Sequence, residues 1–326
     1  MTRNRVFFLK LFVFILMVLA LNECLNIAYN HWMYYFRLAR NQDEQFKSCQ
    51  DTLKYLMLGN SHNRVDPAIL GNGFCYITPK ETYMQTFYKL KYILEKTNKR
   101  PANILLSIDP VNFSPKAGTE LTFDGYWRKY LNYYELAREN HQPDYLMNWV
   151  TGNFFSYVGN YKYAFMSLIF FNFDLHQIKN GYIPARNYKN FSKEPNRDAL
   201  GYETATAYLA SYSKNSTLGD TKYYLKIIDL CHPYKIRLIL LRMPMTDEYI
   251  KYERTLIDLD KTDREIIDLT KKYCDDYQVF DFRNEFRGKP EYFFNADHVT
   301  PAGATIISNK IKDELEKKSL TSKTQR

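Results

Sequence analysis

The sequence predicts an α/β protein, a three-layer doubly wound sheet of about five parallel strands with a helical, aromatic-rich insertion and an N-terminal transmembrane helix. Three observations carry that prediction. Short apolar runs, the kind a buried parallel strand uses, recur at 55–58, 74–77, 104–108, 237–241 and 279–282. Segments with helical spacing of apolar residues separate them, so strand and helix alternate as a parallel sheet requires. A long apolar stretch flanked by arginine precedes everything else.

That first stretch runs from Val6 to about Leu25, after Arg3 and Arg5 and with Lys10 near its start. Lys10 can snorkel to the interface, and the positive flank predicts an N-terminus inside and the bulk of the chain outside the cytoplasm. A cleaved signal peptide is the rival. The row Leu19-Ala20-Leu21-Asn22-Glu23-Cys24 lacks a small-x-small cleavage site, which favours an uncleaved signal anchor over 1–25. Residues 26–50 read as a membrane-proximal helix leading into the domain.

The domain proper is expected over 51–316. Tyr55 to Leu58 is its first strand, broken by Gly59-Asn60, so Ser61 stands where a strand ends and a turn begins. After the Phe74–Ile77 run, Thr78-Pro79-Lys80-Glu81 reads as a capping box. The helix it opens places Tyr83, Phe87, Leu90 and Leu94 on one face. Ile104 to Ile108 is a strand closed by Asp109-Pro110. An amphipathic helix with Leu225, Ile228 and Cys231 enters the Arg237–Leu241 strand. Thr262-Asp263-Arg264-Glu265 is a second capping box, Val279–Phe282 the last strand, and Thr300-Pro301 opens the final helix with Ile306, Ile307 and Ile311. The charged tail 317–326 has no apolar pattern to fold on.

Residues 114–218 interrupt the alternation and read as an insertion or cap. Much of the 17% aromatic content lies there, with helical stretches at Tyr126–Glu139 and Tyr161–Phe173. Those aromatics would line a carbohydrate or acyl groove, contact a membrane or partner, or pack as the cap's own core. The net charge of +9 is dispersed and no recognition motif accompanies it, so nucleic-acid binding is not expected. None of the five cysteines has metal-site spacing. Cys75 and Cys231 read as packed thiols, and a Cys49–Cys75 disulfide is conceivable. No metal or other cofactor is expected.

The chemistry-bearing stretches are two. A serine after the first strand and His298, just before the last helix, both belong to the carboxyl edge of the sheet, where α/β folds bind ligands. A serine hydroxyl needs a base to accept its proton, and histidine is the usual one near neutral pH. Gly59-Asn60-Ser61-His62, paired with Asp297-His298-Val299-Thr300-Pro301-Ala302-Gly303, resembles the SGNH (GDSL-like) hydrolase superfamily. More narrowly the pair is similar to its membrane-anchored extracytoplasmic members, such as those in D-alanylation of teichoic acids and acetylation of alginate. The likeness covers about 52–110 and 220–315.

The resemblance implies Ser61 as nucleophile, His298 as base and an oxyanion hole built from the Ser61 N–H and donors of two further blocks. Thr78 and Asn112 are the candidates for those donors. It also implies a partner, a multi-span membrane-bound O-acyltransferase, and a substrate that is a cell-surface glycan or an acylated small molecule. The family's third triad member is an aspartate three residues before the histidine, where this chain has Asn295. Asp297 is the nearest carboxylate, but adjacent side chains on an extended segment point apart. The base is therefore oriented by Asn295, by a backbone carbonyl, or by Asp297 if a turn brings it round. Arg64 and Arg242 are candidates to bind an anionic substrate group, and His62 reads as a packing or hydrogen-bonding neighbour. The expected function is an SGNH-like esterase or O-acyltransferase; the alternative is a catalytically degenerate relative serving as a glycan-binding or assembly component.

Overall fold

The computed structural model describes residues 3–32, 34–114, 127, 129–154, 178–182, 189–210, 212, 218–219 and 221–324. The chain divides into two compact units, 1–41 with 123–175, and 42–122 with 176–326.

The second unit is built on a five-stranded, all-parallel sheet. Its strands are β1 (Thr52–Leu58), β2 (Gly73–Cys75), β3 (Arg100–Ser107), β4 (Arg237–Arg242) and β5 (Tyr277–Asp281), in the order β2-β1-β3-β4-β5. Register pairs Leu56 with Ile104 and Leu105 with Ile239. The strands are near-continuous apolar runs because both faces are covered. On one face Tyr55, Met57, Leu105, Ile239, Leu241 and Phe280 share a core with Ile307 and Ile311 of the last helix. The alternate residues, Leu56, Leu58, Ile104, Leu106, Leu238 and Leu240, are as deeply buried and point to the opposite face. The strand order reverses direction between β1 and β3, which makes the gap beyond their carboxyl ends the topological switch point.

Several local predictions shift. Helix Tyr83–Lys96 is capped four residues later than expected. Its N-cap is Thr82, whose side chain accepts from Gln85 N while the Gln85 side chain accepts from Thr82 N. Thr78 to Glu81 is instead a turn, with Lys80 at φ 57° and Glu81 N donating to Thr78 O. The helix Leu259–Tyr273 likewise starts ahead of Thr262, capped by Asp258, which accepts from Lys261 N. The final helix, Pro301–Thr324, continues through most of the predicted unstructured tail. Lysine and glutamate are good helix formers, and Lys317 pairs with Glu314 one turn away at 3.0 Å.

The insertion is not one cap. Residues 176 onward belong to the sheet unit. Phe191 is buried in its core and donates its N–H to Phe293 O. Gly181 (φ 72°) lies against β2, where the Gln42 side chain donates to its carbonyl at 2.7 Å. Helix Arg197–Leu209 packs on helix Asp247–Leu256. The predicted helix at Tyr161–Phe173 lies outside the described residues.

The first unit contains the helix Arg3–Trp32, in which residues 4–28 have a mean hydropathy of 2.2, long and apolar enough to cross a membrane. Helix Tyr34–Ser48 follows in the chain, its residues to Asn41 in this unit and those from Gln42 in the sheet unit. Helices Tyr133–Asn140 and Asp144–Phe154 complete the described part of this unit. Trp127, Tyr130, Tyr133, Leu136 and Tyr145 are buried, and the Trp127 and Tyr130 rings lie 5.7 Å apart. All five cysteines are free thiols, so the conceivable Cys49–Cys75 bridge does not form.

Candidate active site

The turn after β1 carries the serine. Gly59 takes φ 107°, a conformation side-chain-bearing residues avoid, and ends the strand. Asn63 fixes the turn from inside: its buried amide donates to Leu58 O and to Leu105 O, both at 2.9 Å, pinning the ends of β1 and β3. Asn60 is held from two sides, accepting from His62 N and donating to the Asn112 side chain at 2.7 Å.

The histidine sits on a loop closed by the Phe293–Val299 bridge and by Phe294 N donating to His298 O. Inside it the Asn295 carbonyl accepts from His298 N at 2.8 Å and Asp297 N at 3.3 Å. This side-chain-to-backbone turn removes the extended geometry that would have separated Asp297 from His298.

Over the switch point the two stretches meet. Ser61 Oγ lies 2.7 Å from His298 Nε2. His298 Nδ1 lies 2.8 Å from Asp297 Oδ1 and 3.2 Å from Asn295 Oδ1. The carboxylate is both nearer and charged, so it is the stronger acceptor. Burial and the positive charges of His62 and Arg64 act to lower the His298 pKa; Asp297 opposes them, and the net position is below the usual histidine value. Near neutral pH the ring is then neutral, with Nδ1–H directed at Asp297 and the Nε2 lone pair toward the serine hydroxyl. Asp297 is buried, which disfavours its charge, yet the charge and hydrogen bonds of His298 and His62 hold its carboxyl far below the usual range. The array is a serine, a neutral base and an ionised carboxylate in hydrogen-bonded series.

Two further residues join this cluster: His62, expected as a packing or hydrogen-bonding neighbour, and Asp109, to which sequence reasoning assigned no role. His62 Nε2 lies 2.9 Å from the second oxygen, Asp297 Oδ2, and its Nδ1 is 3.6 Å from Asp109 Oδ2. Asp109, just after β3, also accepts from Ser107 Oγ at 2.6 Å. Both are acid–base residues at strand ends, the only signal the chain offered. His62, Asp297 and His298 are also the group of described residues whose donor atoms lie close enough to share a cation. Those atoms are already joined by hydrogen bonds, which fits a proton-carrying series better than a metal centre.

The other candidates separate. Arg64 is at the site: its Nε donates to Ser61 O at 3.2 Å and its guanidinium lies over the Phe294 ring, which stacks on His298. Asn112 is there too, bonded to Asn60 and donating to Ser107 O at 3.0 Å. Thr78 is not an oxyanion donor in this arrangement, because its N–H binds Gly59 O at 3.0 Å and its hydroxyl takes a bond from Lys89. Arg242 is held at the β4–β5 side by Asp281 (3.0 Å) and Asp263 (3.2 Å). A guanidinium this buried requires carboxylate partners, and those it has are structural.

Compared with protein-family models and with curated proteins, the chain matches none.

Proposed function

We propose that this protein is a membrane-anchored, extracytoplasmic esterase or O-acyltransferase of SGNH type. The observation that carries the reading is the 2.7 Å approach of Ser61 Oγ to His298 Nε2, with Asp297 2.8 Å behind the ring. Ser61 Oγ attacks an ester carbonyl carbon while its proton passes to His298 Nε2. The developing oxyanion is met by the Ser61 N–H, while Asn112, whose amide donates to Ser107 O, braces Asn60 beside it. His298 then protonates the departing alkoxide, leaving the acyl group as an ester on Ser61. Attack by water, deprotonated by His298, completes an esterase cycle. Attack by a sugar hydroxyl completes a transferase cycle, and resemblance to glycan-modifying relatives favours this second outcome on a cell-surface glycan.

In this reading the helix Arg3–Trp32 anchors the chain, and a multi-span O-acyltransferase is the partner that supplies the acyl group. Arg64, beside the serine, would meet an anionic group on the substrate. Hydrolysis of p-nitrophenyl acetate by the full-length chain in detergent tests the reading. Turnover is expected from the native chain, with at least about a 10³-fold loss in Ser61→Ala and in His298→Ala. Equal turnover in all three would exclude it.

A further inference from the structure

The side chain that follows the nucleophile occupies an unusual position. His62 is 5% exposed and lies between two buried carboxylates, Asp109 at 1% and Asp297 at 3%. It faces Asp297 Oδ2 at 2.9 Å through Nε2 and Asp109 Oδ2 at 3.6 Å through Nδ1. Its ring stands edge-on to His298, centroids 4.9 Å apart, and Tyr208 lies edge-on at 6.1 Å. The charged and titratable groups around it are thus Asp109 after β3, Asp297 and His298 on the closing loop, Tyr208 on helix Arg197–Leu209, and Arg64 in its own turn.

Two buried carboxylates facing one imidazole favour its doubly protonated, charged form; Nε2 is hydrogen-bonded to Asp297, while Nδ1 meets Asp109 at ion-pair rather than hydrogen-bond distance. Burial alone would drive His62 neutral, but the two carboxylates outweigh it and raise its pKa to about 10. A carboxylate with one oxygen on His298 and the other on a cation has its rotation fixed at both ends. Part of its negative charge is also answered from the far side.

We infer that His62 is a positioning residue: as a cation bridging Asp109 and Asp297, it locks the Asp297 carboxylate toward His298 Nδ1 and limits how strongly that carboxylate draws a second proton onto His298. His62 does not touch the reacting atoms; it acts through Asp297. The inference rests on the proposed Ser61–His298 chemistry for its consequence, while its physical content is a charge coupling that is measurable without turnover.

The experiment is histidine-selective NMR on the full-length chain in detergent, with ¹³Cε1 and ¹⁵N labels and assignments from His62→Gln and His298→Gln. In the native chain His62 is expected to carry protons on both ring nitrogens at pH 8, while His298 is neutral there. In His62→Gln, whose amide still donates to Asp297 but carries no charge, His298 is expected to titrate about one pH unit higher. The acid limb of the pH–rate profile moves up with it. A neutral His62 at pH 8 in the native chain overturns the inference and needs no variant to fold. An unmoved His298 titration in a folded His62→Gln chain also overturns it. If the coupling appears but the native chain neither turns over esters nor reacts at Ser61, the positioning role stands and the enzymatic reading fails.

Discussion

Asp297 and His298 are neighbours in the chain and partners in space, with the carboxylate Oδ1 2.8 Å from the ring Nδ1. Side chains one residue apart meet this way only when the backbone turns sharply between them, and the Asn295 side-chain carbonyl makes that turn by accepting from Asp297 N and His298 N. Asn295 therefore shapes the loop, and the carboxylate it delivers comes from the position next to the base.

The division of labour predicts different losses. Asp297→Asn keeps the turn but removes the charge and turns a donor or carbonyl toward Nδ1. Its kcat for ester hydrolysis is expected to fall about 10³- to 10⁴-fold with little change in KM. Asn295→Ala loosens the turn, and about a 10- to 10²-fold loss is expected. Equal effects of the two, measured as kcat on p-nitrophenyl acetate, would contradict the assignment.

The charge chain also sets a pH window for stability. The folded pKa of His62 is raised to about 10, against roughly 6.5 for an unfolded chain. Its contribution is therefore complete below about pH 6.5 and is lost as pH rises through the folded value. Asp297 has the opposite sign: its pKa is depressed, so its contribution holds above about pH 4 and disappears on acidification. Thermal melting between pH 7 and 10 is expected to show Tm falling in the native chain and a flatter profile in His62→Gln. Parallel profiles would remove His62 as the titrating group.

A second buried pair joins Lys89 to Glu81. Lys89 Nζ is fully buried, 2.6 Å from Glu81 Oε2 and 2.8 Å from Tyr76 O, tying the Tyr83–Lys96 helix to the turn after β2. Lys89→Met leaves Glu81 buried without its cation and is expected to cost ~3–5 kcal/mol. Adding Glu81→Gln to it is expected to recover part of the loss, which urea unfolding of the single and double variants measures.

Gly181 marks where the second half of the insertion joins the sheet. A Cβ there would stand 2.1 Å from Cys75 O, and φ is already positive at 72°. Gly181→Ala is expected to destabilise the sheet unit by at least ~2 kcal/mol while leaving the Ser61–His298 geometry intact in the folded fraction. A melting temperature equal to that of the native chain would show that the segment does not pack there.

The five strands were legible because burial on both faces makes them continuous apolar runs, and the apolar N-terminal helix was legible by length. Ser61 and His298 were legible by their place at strand and helix ends. The start of Tyr83–Lys96 was displaced because Thr78–Glu81 and Thr82–Gln85 carry the same capping pattern, and in the fold the first is a turn that Lys89 bonds through Thr78 and Glu81. The Asp297 role was obscured by the alternation rule for extended chain, which the Asn295 turn suspends. His62 and Asp109 were illegible as partners because nothing local links a residue after β1 to one after β3; the sheet order does. Arg242 and Thr78 fitted the site by position along the chain, but their hydrogen bonds lead elsewhere.

The central claim is that Ser61 is a nucleophile activated by His298. Intact-mass spectrometry after exposure to a fluorophosphonate ester tests it most directly, because the reagent captures an activated serine whatever the natural substrate is. The account predicts one adduct per chain, mapped to Ser61, absent in Ser61→Ala and at least about 10²-fold slower to form in His298→Ala. A native chain that stays unlabelled, or a Ser61→Ala chain labelled at the native rate, would contradict it.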